Sequence, residues 1–320
     1  MRSRQQASDA LYGPETTQRE CHARSQQLPA GPAFRARAMT TAVPTITSAS
    51  AASTSGARLK THREGPVLVL TISNPAARNA LDPSVYRAAA KALRATSGFR
   101  TVRAIVLCGE GEHFSGGGDL RRVARQRRLP AAEQHGHLEA LHEWIMAIQE
   151  APQPVIAAVE GAAVAGGFSL CLACDLIVAA EDAKFAMSYV NVGLTPDGGG
   201  SDSLVRSLPS QAALEMLLDG TPCSAKRLHD WGVVNKVVPH GTACATALEW
   251  AQQLSRGPFE VQARIKQLVH SARGRSRREQ LDAERESSVA SLYGDESAER
   301  IKEFLSPRKK QKPPAESTVQ

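Results

Sequence analysis

The chain has 320 residues, 42% of them apolar and 22% charged, with a net charge of +7. These are the values of an ordinary globular protein, long enough for one sizeable domain or two small ones. No apolar run approaches the roughly 20 residues that span a bilayer, so no membrane partner is expected.

The charge sits at the two ends. Residues 1–56 carry six Arg against Asp9, Glu15 and Glu20, and residues 306–320 carry Arg308, Lys309, Lys310 and Lys312 against Glu316. A near-neutral body with basic tails argues against a nucleic-acid groove. Six scattered cysteines without a secretory apolar segment read as reduced thiols, hence an intracellular, cytoplasmic protein. Cys171 and Cys174 form a C-x-x-C inside an apolar segment with no second ligand pair at metal spacing, which reads as core packing.

Residues 1–56, rich in Ser, Thr, Ala, Gln and Pro and without periodicity, are expected to be a disordered extension, with Met39 an alternative start. Val67 to Ile72 is a β-branched strand closed by the turn signal Asn74-Pro75. Asp82-Pro83 then opens a helix carrying Val85, Ala89 and Leu93 on one face. Val102 to Cys108 is a second buried strand, followed by the glycine-rich stretch His113 to Leu120. Arg121 to Arg128 is a basic run, read as a solvated helix or loop. Leu138 to Ile148 is an amphipathic helix bearing His142. Val155 to Val159 is a strand that turns at Glu160-Gly161, and after Gly166-Gly167 the chain enters a helix.

Glycines at a helix start leave backbone N–H groups uncovered at the positive end of the dipole, where an oxyanion can sit; close helix packing is the alternative reason for them. Leu176 to Ala180 is another strand, Ala183 to Gly200 a Gly- and Pro-rich loop with Asp197 before three glycines, and the remainder is helical to Leu305. Strands alternating with helices and then helices alone predict an α/β core over 57–256, a helical region over 257–305 and a disordered basic tail over 306–320.

Four blocks then carry a resemblance: NPAARNALD at 74–82, HFSGGGDL at 113–120, PVIAAVEGAAVAGGFSLCLACDLIVAAEDAKF at 154–185 and VGLTPDGGGSDSLVRSLP at 192–209. From Leu59 to Arg308 the chain resembles the crotonase superfamily of enoyl-CoA hydratases and isomerases. The resemblance implies a spiral core of strand-strand-helix turns, a C-terminal helical trimerisation region and assembly as a homotrimer or hexamer. It implies an acyl-CoA thioester as substrate, with coenzyme A entering only as part of it, and no metal or other cofactor.

Residue by residue, the resemblance places the thioester oxyanion hole at the N–H groups of Gly116 and Gly166. It places the coenzyme A path along Arg78, Asn79, Ala80, Gly117, Gly118 and Asp119, with Phe304 as the aromatic of the C-terminal helix. Where hydratases have two glutamates this chain has Ser169 and Tyr189, which leaves Asp197 as the carboxylate of the motif region and the expected acid/base. Addition of water needs both an acid and a base, so isomerisation of an enoyl-, aryl- or cyclic acyl-CoA is the expected reaction, with hydration or ring opening beside it. The family blocks are most similar to a subgroup that includes the phenylacetate-pathway isomerase. Two alternatives remain open: nucleophilic catalysis by Asp197 with His142 as base, as in a dehalogenase, and a non-catalytic scaffold.

Overall fold

A computed structural model describes residues 56–96 and 100–306. The disorder expected at both ends, and Arg308, lie outside the described residues except for Gly56 and Ser306.

Among the described residues there are nine strands: β1 (Arg58–Glu64), β2 (Val67–Ser73), β3 (Ala104–Gly109), β4 (Val155–Val159), β5 (Ala162–Val164), β6 (Leu176–Ala180), β7 (Lys184–Ala186), β8 (Cys223–Ser224) and β9 (Lys236–Val238). The helices are α1 (Pro83–Thr96), α2 (Leu120–Gln126), α3 (Ala131–Glu150), α4 (Gly166–Ala173), α5 (Gly200–Ser207), α6 (Ser210–Asp219), α7 (Ala225–Asp230), α8 (Ala243–Ser255), α9 (Phe259–Ser271), α10 (Arg277–Leu292) and α11 (Asp295–Leu305).

The main sheet runs in the order β1-β2-β3-β4-β6-β9, antiparallel between β1 and β2 and parallel from β2 onward. Parallel strands covered on both faces must be apolar throughout, and β3 and β4 are: Ile105, Val106, Leu107, Val155, Ile156 and Val159 are each no more than 1% exposed. Leu70, Ile72, Ile105 and Leu107 share a core with Val85, Leu93, Trp144 and Phe168 of α1, α3 and α4. Val67, Val69, Val106 and Ile156 share a second core with Ala243, Ala247 and Ala251 of α8. A second, three-stranded sheet has the order β5-β7-β8.

The stretch expected to be loop from Ala183 thus includes a strand, β7, and the stretch expected to be only helical includes β8 and β9. These are two or three residues long and recruited by pairing, with no periodicity of their own to announce them. The helical region is tied back to the core through Lys266, whose Nζ reaches Asp175 at 2.7 Å and the carbonyl oxygens of Ile148 and Gln153 at 2.8 and 3.1 Å. Among the described residues no helix is long and apolar enough to cross a membrane.

Candidate active site

Two glycine loops meet at the carboxyl ends of the parallel strands. In the first, after β3, Ser115 is clamped by its neighbours: its N–H donates to Ala162 O and its carbonyl accepts from Val164 N, both at 2.9 Å. Its hydroxyl donates to Asn79 O at 2.9 Å and accepts from Gly117 N at 3.1 Å. In the second, Ala165 stands at φ 49°, a left-handed conformation for a residue with a Cβ, and its N–H is held by Ala186 O at 2.8 Å. Backbone strain of this kind, about 1–3 kcal/mol, persists only where surrounding bonds enforce it. Here it turns β5 into α4, so that Gly166 is the first residue of the helix and its N–H has no intrahelical acceptor.

The loops touch. A Cβ built on Gly117, itself at φ 83°, would lie 2.6 Å from Val164 O and 3.5 Å from Gly166 N. No side chain fits there, which explains a glycine at 117.

Gly116 requires a correction. Its N–H donates to Arg78 O at 2.7 Å, so it is spent inside the protein and is not offered to a ligand. The free position is two residues on. Leu81 and Gly118 form a parallel bridge in which Leu81 N–H donates to Gly117 O at 2.7 Å. In that pattern the residue centred opposite Leu81 keeps its own N–H directed away from the pairing. A Cβ on Gly118 would meet nothing within 4 Å. Among the described residues, the N–H groups of Gly118 and Gly166 at the junction of the loops therefore have no backbone acceptor.

The expected coenzyme A residues fare unequally. Asn79 is fully buried, and its side chain donates to Glu110 O at 2.9 Å and His113 O at 2.6 Å while accepting from Asn74 N at 2.9 Å. It pins two loops together and has no side-chain group left for a ligand. Asp119 is also committed, its Oδ1 accepting from Arg121 N at 2.9 Å as the N-cap of α2. Ala80 is buried, whereas Arg78 is exposed beside Gly116. Phe304 is 87% exposed on α11 and is not brought to this site within the chain.

Asp197 is brought there. A Cβ built on Gly166 would lie 3.7 Å from Asp197 Oδ1, 3.9 Å from the Tyr189 hydroxyl and 3.6 Å from Leu81 Cδ1. The Tyr189 hydroxyl donates to Asp197 Oδ1 at 2.5 Å, and the Ser169 hydroxyl donates to the Asp197 carbonyl at 2.9 Å. The carboxyl is held above the usual carboxylate range: burial raises it, while the Tyr189 hydrogen bond and the charges of His142 and Arg122 pull the other way. Burial and the neighbouring Asp197 charge push the Tyr189 phenol up, so it stays a neutral donor.

His142 lies at the rim with half its side chain exposed, paired with Glu139 at 3.8 Å. It acts on Asp197 through space and makes no hydrogen bond to it among the described residues.

Two residues of the site were not anticipated. Tyr86 of α1 is 6% exposed; burial pushes its phenol up, the charge of Arg122 of α2 opposes that, and the Asp197 charge adds to it. The signals were slight: a phenol on the apolar face of α1, and an arginine three residues after a capping aspartate.

Cys171 and Cys174 are buried free thiols, pushed up by burial, as core packing requires. Glu160, Asp182 and His240 place ligand atoms within 4.8 Å of one another and could by geometry hold a cation. The Glu160 carboxylate, however, already accepts from Gly241 N and Ala243 N at 3.0 and 2.8 Å, capping α8.

Residues 62–312 match the family model described as enoyl-CoA hydratase/isomerase. Among curated proteins, the 1,2-epoxyphenylacetyl-CoA isomerase of Escherichia coli K12 is 31% identical over 251 residues, covering 78% of this chain and 96% of that protein. The carnitinyl-CoA dehydratase of Salmonella typhimurium is 37% identical over 210 residues, 65% of this chain and 78% of that one. Among solved structures, an enoyl-CoA hydratase from Polaromonas sp. JS666 superimposes with a TM-score of 0.76 at 47% identity, covering 77% of this chain and 96% of that one.

Proposed function

Because the chain belongs to the enoyl-CoA hydratase/isomerase family of the crotonase superfamily and is an acyl-CoA enzyme of that type, we propose that it isomerises an enoyl-, aryl- or cyclic acyl-CoA with Asp197 as the proton carrier. The observation that carries this reading is the place of the Asp197 carboxyl: half-buried, raised above its usual range, and beside Gly166.

The chemistry follows from the charges. The thioester oxygen sits between the N–H groups of Gly118 and Gly166, and when a proton leaves the acyl carbon the negative charge flows onto that oxygen. Preorganised amides aimed at a developing oxyanion contribute about 3 kcal/mol each. Asp197 takes the proton from one carbon and returns it to another, so no co-reactant is consumed. A carboxyl raised by burial is better matched to both halves of that task. Tyr189 orients it through Oδ1, and Ser169 fixes the backbone that carries it. Tyr189 has no carboxylate and Ser169 no acid of useful strength, so a second water-activating group of the hydratase kind is missing from these two positions.

Exposed apolar side chains on α10 and α11, among them Leu281, Val289, Leu292, Ile301, Phe304 and Leu305, support assembly as a homotrimer or hexamer, since apolar patches of this kind mark interfaces. Sedimentation equilibrium at monomer mass would refute it.

The reaction is tested by α-proton exchange into deuterated water with a panel of enoyl-CoA and phenylacetyl-derived CoA esters. Asp197→Asn is expected to lower exchange and turnover by about a hundredfold or more, the scale of a lost general acid/base, while CoA-ester binding persists. Wild-type rates in that variant would remove Asp197 from the mechanism.

A further inference from the structure

Three neighbouring strands of the main sheet end at one place. β4, β6 and β9 are adjacent and parallel, and one or two residues past their ends stand Glu160, Asp182 and His240. Each brings one ligand atom within 4.8 Å of the others. His240 Nδ1 lies 3.0 Å from Asp182 Oδ2 and 3.8 Å from Glu160 Oε2.

Backbone bonds set these positions. Glu181 N–H donates to Val238 O at 2.8 Å, which ties the turn carrying Asp182 to the strand that leads to His240. Thr242 closes the His240 turn, its N–H and hydroxyl donating to Pro239 O at 3.2 and 2.6 Å. The Glu160 carboxylate accepts from Gly241 N and Ala243 N; these bonds take one lone pair from each oxygen, of about four that a carboxylate offers. Its side chain is 17% exposed, against 54% for Asp182 and 64% for His240. The trio is thus a fixed base with two arms open to solvent.

Its charge is uncompensated. Neither carboxylate meets a Lys or Arg within 4.0 Å among the described residues. A single N–H on Nδ1 can reach Asp182 but leaves Glu160 beyond hydrogen-bond range. With a neutral imidazole the trio carries two negative charges, which outweigh the roughly half positive charge of the α8 N-terminus. Ligands at about 2.1 Å around a tetrahedral zinc ion stand about 3.4 Å apart, a value between the two separations found here. One imidazole with two carboxylates suits such an ion better than calcium or magnesium, whose sites are built from oxygen.

We propose that Glu160, Asp182 and His240 form a binding site for a first-row divalent metal ion of the Zn2+ type, with water completing its shell. The Glu160 carbonyl accepts from Phe114 N at 2.9 Å, so the ion braces the turn on which the first glycine loop rests. Its role is structural and independent of the proton transfer assigned to Asp197.

Calorimetric titration of the full chain with Zn2+ is expected to show one saturable site, and saturating Zn2+ to raise the thermal midpoint. His240→Ala and Asp182→Asn are each expected to weaken binding by about tenfold or more, since even the outer-shell partners of a metal are worth about 10–100-fold. Both residues are exposed, so the fold tolerates the changes. His62→Ala, which removes another exposed imidazole beside a carboxylate, is expected to keep wild-type affinity. The Co2+ form is expected to lack a thiolate charge-transfer band. Absence of a saturable site or of the midpoint rise, affinity retained in both His240→Ala and Asp182→Asn, an equal loss in His62→Ala, or a thiolate band would each overturn the proposal.

Discussion

Asn79 separates a residue that touches a ligand from one that builds the site, and the consequence of removing it is large. Its amide makes three hydrogen bonds, to Glu110 O, His113 O and Asn74 N, and its backbone stands at φ 54°. In Asn79→Ala the two carbonyls and the N–H lose these partners, at about 1 kcal/mol each where water can replace the amide and more where it cannot. Alanine also tolerates the left-handed region worse than asparagine, by about 1 kcal/mol or somewhat more. The expected destabilisation is about 3–5 kcal/mol, a large share of the total for a folded domain.

Urea unfolding at equilibrium reads it as a fall in midpoint at unchanged slope. Asn79→Gly has the same lost bonds without the left-handed penalty and is expected to be about 1 kcal/mol less destabilised than alanine. If Asn79→Ala stays within about 1 kcal/mol of wild type while CoA-ester affinity drops, the side chain is a ligand contact and the scaffold assignment is wrong.

Three further perturbations probe Asp197. Tyr189→Phe removes the hydroxyl that opposes burial, so the carboxyl rises further and the limb of the kcat/KM profile that reports its ionisation moves to higher pH; a limb that stays or moves down refutes the pairing. For stability the sign is fixed by the raised carboxyl: the folded state binds that proton more tightly than the unfolded one, so its stabilising contribution is complete below the unfolded value and is lost as pH rises through the folded one. Asp197→Asn has no such loss, and its urea midpoint is expected to gain on wild type as pH rises past the ordinary carboxylate range; a constant difference refutes it. Ser169→Glu is expected to lose about 3 kcal/mol or more through overpacking and an unpaired buried charge, without acquiring hydratase activity. A stable Ser169→Glu protein that hydrates crotonyl-CoA would contradict that.

What the sequence disclosed followed the strength of its local signals. The strands β2, β3, β4 and β6 are apolar runs bounded by turn residues, and buried pairing leaves no other conformation for them. The edge strand β1, RLKTHRE, is polar and mostly exposed on both faces, so pairing to β2 alone makes it a strand. Block resemblance singled out Gly166 and Asp197, and the fold brings the two together. It could not distinguish Gly116 from Gly118, because three successive glycines are chemically identical; Gly117 at φ 83° breaks the alternation along the chain, and only the placement of Arg78 O shows which amide is consumed. Arg122 sits in a basic run whose ordinary fate is solvent, yet it is half-buried with its Nε shielded.

Ser169 shows how a small residue in α4 positions the Asp197 carboxyl. Were a Cβ present on Gly198, it would stand 3.2 Å from Ser169 Cβ and 3.3 Å from Leu141 Cδ2, and one on Gly200 would stand 2.7 Å from Ser169 Oγ. The loop after Asp197 is therefore seated directly on the serine, with Gly198 and Gly199 in left-handed conformations that let it lie flat. A longer acidic side chain at 169 would occupy the volume that this backbone fills. The small residue admits the loop, its hydroxyl fastens the loop through the Asp197 carbonyl, and the fastening holds the Asp197 carboxyl beside Gly166. Ser169 is thus the support on which the Asp197 carboxylate rests.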